Sequence, residues 1–382
     1  MNEDIVKQNA AMRGALLALS PRMRKNNGNF TGGAAGGTTR IKLFNVGITT
    51  GIRMRALTAV DLGAGAGTAS PQAPFNLMSN VQLIDYDGTA RCNVPGYLLW
   101  LMNCVRNRTL WGYHNFAGGN AVSTEPVVPV TAATANQTLA FWNEIPLAFN
   151  KEDDLRGAIL SQTALGEMYL NVTWNNSLFA AAQADSLYNG GTASVAVNAA
   201  NSLQLQVFQD FLLPQAVGNA VPIPQIDLLT VYELNSLRTS DNIAINQEKL
   251  ISYPNARSVL ASYLWYVNNG VMTPITTAVG GVITNDISLF RLYANGNNIL
   301  QENTMLSQMF EQRQSMWADG DLRASTYFFD HRNKPVETAV FGNVQLGVTP
   351  SAFTSAGTTY MGVGFESMYT KGSVLPGLQQ AG

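Results

Sequence analysis

The chain predicts an all-β fold of the sandwich, jelly-roll or barrel kind, and three observations carry that reading. Several short segments alternate apolar and polar residues with period two. Met168-Tyr169-Leu170-Asn171-Val172-Thr173-Trp174 and Leu203-Gln204-Leu205-Gln206-Val207-Phe208 are examples, the pattern of a strand with one face buried. Turn formers such as Asp87-Gly88, Asn189-Gly190-Gly191 and Asn295-Gly296-Asn297 separate these segments. The order of elements also repeats. Val81-Gln82-Leu83-Ile84-Asp85-Tyr86 runs through Asp87-Gly88 to a helical pattern beginning near Tyr97, and Ile287-Ser288-Leu289-Phe290-Arg291-Leu292 runs through Asn295-Gly296 to one beginning near Asn303.

From the N-terminus, residues 2–24 set Ile5, Met12, Leu16, Leu17 and Leu19 among alanines with arginines beside them, which predicts a short amphipathic helix ended by Pro21. It reads poorly as a secretory signal, because Glu3 and Asp4 precede the apolar stretch, Arg13 interrupts it and Ser20-Pro21-Arg22 is no small-residue cleavage site. The glycines of Asn26-Asn27-Gly28-Asn29 and Gly32-Gly33-Ala34-Ala35-Gly36-Gly37 are entropically costly to order, so a flexible strap is expected there. Strands are expected over residues 40–46, 51–57, 81–86, 139–147, 167–174, 203–212, 228–234, 259–267, 287–292, 324–330, 336–340, 343–348 and 359–366. Helices are expected over residues 97–105 behind Pro95, over 152–160, and over 303–317. The Met and aromatic stripe of the last reads as core packing. Pro214, Pro222 and Pro224 deny helix and ladder donors to residues 214–224, marking a linker between the halves.

The expected organisation is a basic arm and strap over residues 1–39, a first barrel over 40–213, the linker over 214–224, a second barrel over 225–370 and a tail over 371–382. Charge supports the separate arm. Only 13% of the 382 residues are charged, against roughly a quarter in an average soluble domain. Residues 1–40 carry a net charge of +4 and the remainder −6. The overall −2 excludes a polybasic binder working by phosphate neutralisation over its whole surface. No run qualifies as a transmembrane helix, since the long uncharged stretch 258–284 is broken by Asn268-Asn269-Gly270 and Pro274 and reads as strands around a turn. Cys92 and Cys104 are too few and too far apart for a zinc motif or a disulfide scaffold, and read as buried free thiols.

Catalytic chemistry finds little support. His331, in Asp330-His331-Arg332-Asn333-Lys334-Pro335, reads as part of a polar turn, because consecutive strand residues point to opposite faces and do not build a dyad. His114 lies in Trp111-Gly112-Tyr113-His114-Asn115-Phe116, a loop suited to stacking on a sugar or to interface packing. Glu152-Asp153-Asp154 reads as an acidic head on a short helix. Gly63-Ala64-Gly65-Ala66-Gly67 enters Thr-Ala-Ser-Pro instead of a helix and so makes a poor phosphate cradle. Two basic spots remain, Arg53 with Arg55 on one strand and Arg22, Arg24 and Lys25 beside the strap. No enzyme, cofactor or metal site is expected.

Certain strings resemble a known family. Asn45-Val46-Gly47-Ile48, Ile145-Pro146-Leu147-Ala148-Phe149 with Asp154-Leu155-Arg156-Gly157-Ala158-Ile159-Leu160, and Trp174-Asn175-Asn176-Ser177-Leu178-Phe179-Ala180-Ala181 are similar to the first barrel of tectivirus major capsid proteins. Ile226-Asp227-Leu228-Leu229-Thr230-Val231-Tyr232-Glu233-Leu234, the string at 330–335 and Phe341-Gly342-Asn343-Val344 continue the similarity in order. The resemblance implies a double jelly roll, two eight-stranded β-barrels side by side. It further implies a homotrimeric, pseudo-hexameric capsomer in an icosahedral shell around an internal membrane and double-stranded DNA. The arm and the loop 111–136 depart from the family pattern.

Expected partners are other copies of the chain in a capsid lattice, penton and minor capsid proteins, and the internal viral membrane through the arm, with no direct sequence-specific nucleic-acid binding. Arg13, Leu16, Leu17, Arg22, Arg24 and Lys25 are the expected membrane-contact residues. The virion, and the host cytoplasm during assembly, are the expected locations. The competing reading is a jelly-roll carbohydrate- or receptor-binding protein acting through Trp111, Tyr113 and His114.

Overall fold

The structure, a computed structural model, describes residues 20–61, 68–108, 137–152, 154–161, 165–180, 185–189, 196–197, 203–214, 230–273, 276–277, 283–296, 298–316, 325–353 and 359–370. Sixteen strands carry the fold. The first half supplies β1 (Arg22–Gly33), β2 (Thr38–Lys42), β3 (Ile48–Asp61), β4 (Met78–Ile84), β5 (Ala90–Val94), helix α1 (Gly96–Asn107), β6 (Gln137–Pro146), β7 (Tyr169–Trp174) and β8 (Leu203–Leu212). The second supplies β9 (Thr230–Thr239), β10 (Lys249–Ser252), β11 (Ser258–Val267), β12 (Ile287–Ala294), β13 (Asn298–Thr304), helix α2 (Met305–Met316), β14 (Thr326–Asp330), β15 (Val344–Pro350) and β16 (Tyr360–Thr370).

Alternation decides how these strands pack. Along β8, Leu203, Leu205 and Val207 are buried while Gln204, Gln206 and Phe208 are half-buried on the other face. Hydrogen-bonded neighbours then build two sheets in the first half, in the orders β1-β8-β3-β6 and β2-β7-β4-β5. The second half repeats both orders with every number raised by eight, β9-β16-β11-β14 and β10-β15-β12-β13. Each half is therefore a jelly roll of two four-stranded sheets, with a helix inserted after its fifth strand. The repeat of element order read in the sequence is this pseudo-symmetry.

The two rolls share a sheet. β5 pairs in parallel with β9, Cys92 opposite Leu234 and Asn93 opposite Asn235, so the second sheet of the first roll continues into the first sheet of the second. One apolar core fills the first roll and spreads across the joint. It includes Met54, Val81, Phe141 and Leu205 together with Tyr263, Trp265 and Phe328 of the second roll. Another, around Leu264, Phe290, Tyr327, Val348 and Val363, fills the second roll.

Helix α1 starts behind Pro95 and is buried all round from Gly96 to Val105, as a helix without a polar face must be. Phe75 stacks on its Trp100 at 4.6 Å. Both cysteines are buried thiols outside any disulfide, and within the uncharged stretch Ser258–Val267 forms β11 and Asn268 bridges Val271 in the turn that follows.

Four expectations are corrected. Residues 22–33 are neither helix nor flexible strap but β1, paired with β8 at nine positions. The glycines serve a bulge and a close approach there. Gly28, at φ +114°, sits at a register shift and donates to Asn26 Oδ1, and a Cβ on Gly33 would lie 2.7 Å from the Trp174 indole nitrogen. The first roll thus begins at Arg22, ahead of residue 40. Residues 152–160 form no helix: Asn150 and Asp154 bridge each other, Gly157 turns at φ +91°, and Ile159–Leu160 pairs with β3. Residues 336–340 are only briefly extended, since Val336–Glu337 passes into a short helix, Thr338–Phe341, whose Thr338 hydroxyl donates to the Pro254 and Arg257 carbonyls. The strands β5, β10 and β13 went unread because each is short and follows a turn. Residues 1–19, Gly63 to Gly67, the loop with Trp111, Tyr113 and His114, residues 215–224 of the linker and the tail 371–382 lie outside the described residues.

Candidate functional site, the junction between the rolls

β16 and β11 present to the first roll a face that the second roll's own core does not use. The alternate glycines Gly362 and Gly364 lie on it. A Cβ on Gly362 would sit 2.0 Å from the Trp265 ring, and one on Gly364 2.3 Å from the Leu98 side chain of α1. Only glycine allows the helix and the indole to lie flat on this sheet. Tyr97 meets Trp265 edge to face at 6.2 Å and its hydroxyl is 2.9 Å from Thr326 Oγ1.

The next outward residue of β16 is Glu366, with no exposed surface, and it collects charged groups from both rolls. Arg332 donates through Nη2 at 2.5 Å and Nε at 3.2 Å. Arg106, at the end of α1, donates at 3.2 Å, and Tyr263 donates its hydroxyl at 2.8 Å. Arg106 also donates to Tyr232 Oη at 2.5 Å and to the Phe149 carbonyl at 2.6 Å. Burial alone would raise the Glu366 carboxyl, but the two guanidiniums outweigh it and hold the group at about 2. Asp330, 3.3 Å from Arg332, brings two acids against two arginines. A polar cavity of about 520 Å³ opens beside them, lined in part by Asn103, Arg108, Lys151 and Asn333. Each acid here is held by a permanent cation, and those of Glu366 come from both rolls, so the arrangement holds two bodies together.

Further clamps line the joint. Arg238 stacks on Tyr360 with its charge 3.4 Å from the ring centre and reaches Asp185 at 2.7 Å; Tyr360 also bonds Asp185, and Gln72 donates to the Tyr360 hydroxyl at 3.2 Å.

The residues singled out in the sequence fall elsewhere. Arg22 pairs with Glu152, Arg24 with Asp210 at 2.6 Å, and Lys25 lies 3.8 Å over the Phe44 ring, so all three are held by the first roll itself. Arg53 joins the same Asp210 at 2.8 Å, which unites the two basic spots around one acid. Arg13, Leu16 and Leu17 lie outside the described residues. His331 forms a turn in which Lys334 N donates to its carbonyl. Asp154 binds Arg156 through both carboxylate oxygens, and Glu152 meets Arg22; neither caps a helix. Among the described residues no three His, Cys, Asp or Glu side chains are placed to hold a metal ion, and no helix is long and apolar enough to cross a membrane. Sequence reasoning passed over Arg106, Tyr232, Tyr263 and Glu366. The available signal was Gly362-Val363-Gly364-Phe365-Glu366, two glycines and an acid on one face of a strand inside an apolar run.

Two jelly rolls fused through a shared sheet, with a buried junction built for cohesion, define the double jelly-roll class of viral capsid proteins. The fold is shared with a crystal structure of the STIV MCP, at a TM-score of 0.63 and 12% identity over 94% of this chain and 99% of that one; STIV is Sulfolobus Turreted Icosahedral Virus. It is shared too with the major capsid protein P2 of bacteriophage PM2, at a TM-score of 0.51 and 10% identity over 92% and 98% of the two chains. In sequence, the chain is 24% identical over 333 residues to the major capsid protein P3 of Enterobacteria phage PRD1, covering 83% of this chain and 80% of that protein. The profile of the P3 major capsid protein N-terminal domain matches residues 30–213, and that of its C-terminal domain residues 229–375. The chain belongs to the P3 major capsid protein family. Its role is structural, in a virion capsid built of its own copies, and not enzymatic.

Proposed function

We propose that this protein is the shell subunit of an icosahedral double-stranded DNA bacteriophage with an internal membrane, and that three copies form a pseudo-hexagonal capsomer. The observation that carries the reading is the β5–β9 joint, in which one roll's second sheet runs into the next roll's first. Among the described residues β13 and β1, the two edges that would make the same joint between copies, have no strand beyond them. A head-to-tail contact of that kind closes into a ring when the rotation allows, and three copies supply six rolls. Sparse charge suits closely packed edges, because charged groups are depleted from interface cores.

In this reading residues 1–19 face the internal membrane through Arg13, Leu16 and Leu17, each basic residue near an anionic surface contributing on the order of 1 kcal/mol. Arg22, Arg24 and Lys25 stay with the first roll. Penton and minor capsid proteins are the neighbours at the lattice edges, and assembly takes place in the host cytoplasm. Light scattering on the purified protein and electron microscopy of the same sample test the proposal. A mass of three chains with a hexagonal outline is expected. A one-chain particle that binds a defined sugar on a glycan array would overturn it in favour of a carbohydrate-binding protein.

A further inference from the structure

We infer that the exposed face of α2 in one copy seats on the outer face of the β1-β8-β3-β6 sheet of the next copy, repeating between chains the seat that α1 occupies within one; the inference rests on the capsomer reading above. Helices α1 and α2 hold the same place in the two rolls, each following the fifth strand and preceding the sixth. Their surroundings differ. α1 lies between its own roll and the outer face of the second roll's first sheet, where Tyr97 meets Trp265 and Thr326 and Leu98 meets Gly364.

Among the described residues α2 packs on strands of its own roll. Gln308 donates to the Phe328 carbonyl, Gln312 accepts from the Phe328 amide and Met305 is buried. Its opposite face carries Leu306 and Phe310, four residues apart, 48% and 64% exposed. Counting from the helix starts, Leu306 stands where Tyr97 stands in α1. The strand before it repeats the contrast. β5 is paired with β9, whereas β13 is an edge that exposes Ile299 and Leu300.

The matching seat is on the first roll. The outer faces of the second roll's β11, β14 and β16 are buried beneath α1, but the same face of the first roll is only half-buried. It presents Trp142 and Phe208 stacked at 5.8 Å, with Arg53 and Arg55 between them and Gln206 opposite Arg55. Flat aromatic surface flanked by arginine suits an apolar helix face, and the exposed Glu311 of α2 complements Arg55, while Glu302 is paired with Arg291 of its own roll and Arg53 with Asp210. The occupant is therefore a second copy of this chain, joined head to tail.

The test uses the full chain and two surface variants. L306D/F310D spoils the helix and leaves the seat; R55E/Q206E spoils the seat and leaves the helix. With a wild type of three-chain mass, each variant alone is expected to run as one chain with the wild-type far-ultraviolet spectrum. An equimolar mixture is expected to give two-chain particles, because one good helix then meets one good seat. Variants that keep the three-chain mass, or a folded mixture that gives no two-chain particle, would overturn the seat and leave the capsomer reading standing. A one-chain wild type would overturn that reading itself. Should one variant lose its spectrum, oxidative cross-linking of F310C with Q206C in otherwise wild-type chains decides: a ladder of covalent dimers and trimers supports the seat, and its absence in a three-chain particle refutes it.

Discussion

Arg332, in the turn after β14, and Glu366, on β16, meet through two nitrogens and two oxygens, at 2.5 and 3.2 Å, in a place where the carboxylate has no exposed surface. Arg106 reaches the same carboxylate from the first roll at 3.2 Å. Glu366→Gln leaves two half-buried guanidiniums facing a buried neutral amide. Breaking such a pair from one side costs about 3–5 kcal/mol, and denaturant unfolding of the variant should show a loss of that size. A variant within about 1 kcal/mol of wild type would mean the cluster is solvated. Because the folded Glu366 group titrates at about 2, below its ordinary 4.5, its stabilisation is full above pH 4.5 and drains away as pH falls toward 2. The variant should lack that dependence.

Gly364 receives Leu98 so closely that a Cβ there would sit 2.3 Å from a methyl carbon. Gly364→Ala should therefore destabilise by about 1–3 kcal/mol, the usual range for overpacking. Leu98→Ala alone empties a buried site and should cost about 2–5 kcal/mol. The informative measurement is the double variant. If α1 and β16 touch as described, the added methyl occupies part of the vacated space, and the combined loss falls clearly below the sum of the two single losses.

His331 adds a second acid dependence in a different window. Its ring lies with Phe290, Leu292, Phe329 and Leu346, and Nε2 has no hydrogen-bond partner. Burial disfavours the imidazolium more than Asp330 favours it, lowering the group from 6.5 to about 4. The unfolded chain thus takes up the proton first as pH falls. Stability from the neutral ring is full above pH 6.5 and is lost down to pH 4, at most about 3 kcal/mol in all. Urea midpoints measured between those limits should fall in the wild type and stay nearly level in His331→Gln. An equal slope in both would assign the effect to other groups.

What could be read in the sequence was whatever neighbours along the chain decide. The alternation of residues 203–212 locates β8 at both ends, since period two is imposed by a single buried face. The repeat of strand, turn and helix anticipates two similar rolls, because each roll folds its own hairpin and helix. β1 was hidden because Gly28 and Gly33 look like disorder until a bulge and the Trp174 ring give them a reason. The junction was hidden more deeply. Arg106, Arg332 and Glu366 lie in different elements that only the shared sheet brings together, and nothing at any one position marks it as charged and buried.

The two parts of the N-terminal segment should separate under truncation. Removing residues 2–19 leaves every β1 pairing in place, and the trimer of the capsomer reading should form with an unfolding free energy within about 1 kcal/mol of wild type. If that segment meets the membrane, particles assembled from this variant should lack attached lipid. Removing residues 2–33 instead strips all nine pairings to β8, exposes Leu205 and Val207, and takes Arg24 from Asp210 and Arg22 from Glu152. That variant should aggregate or melt far below wild type. If both truncations behave alike, then either β1 is no part of the first roll or residues 2–19 belong to its fold.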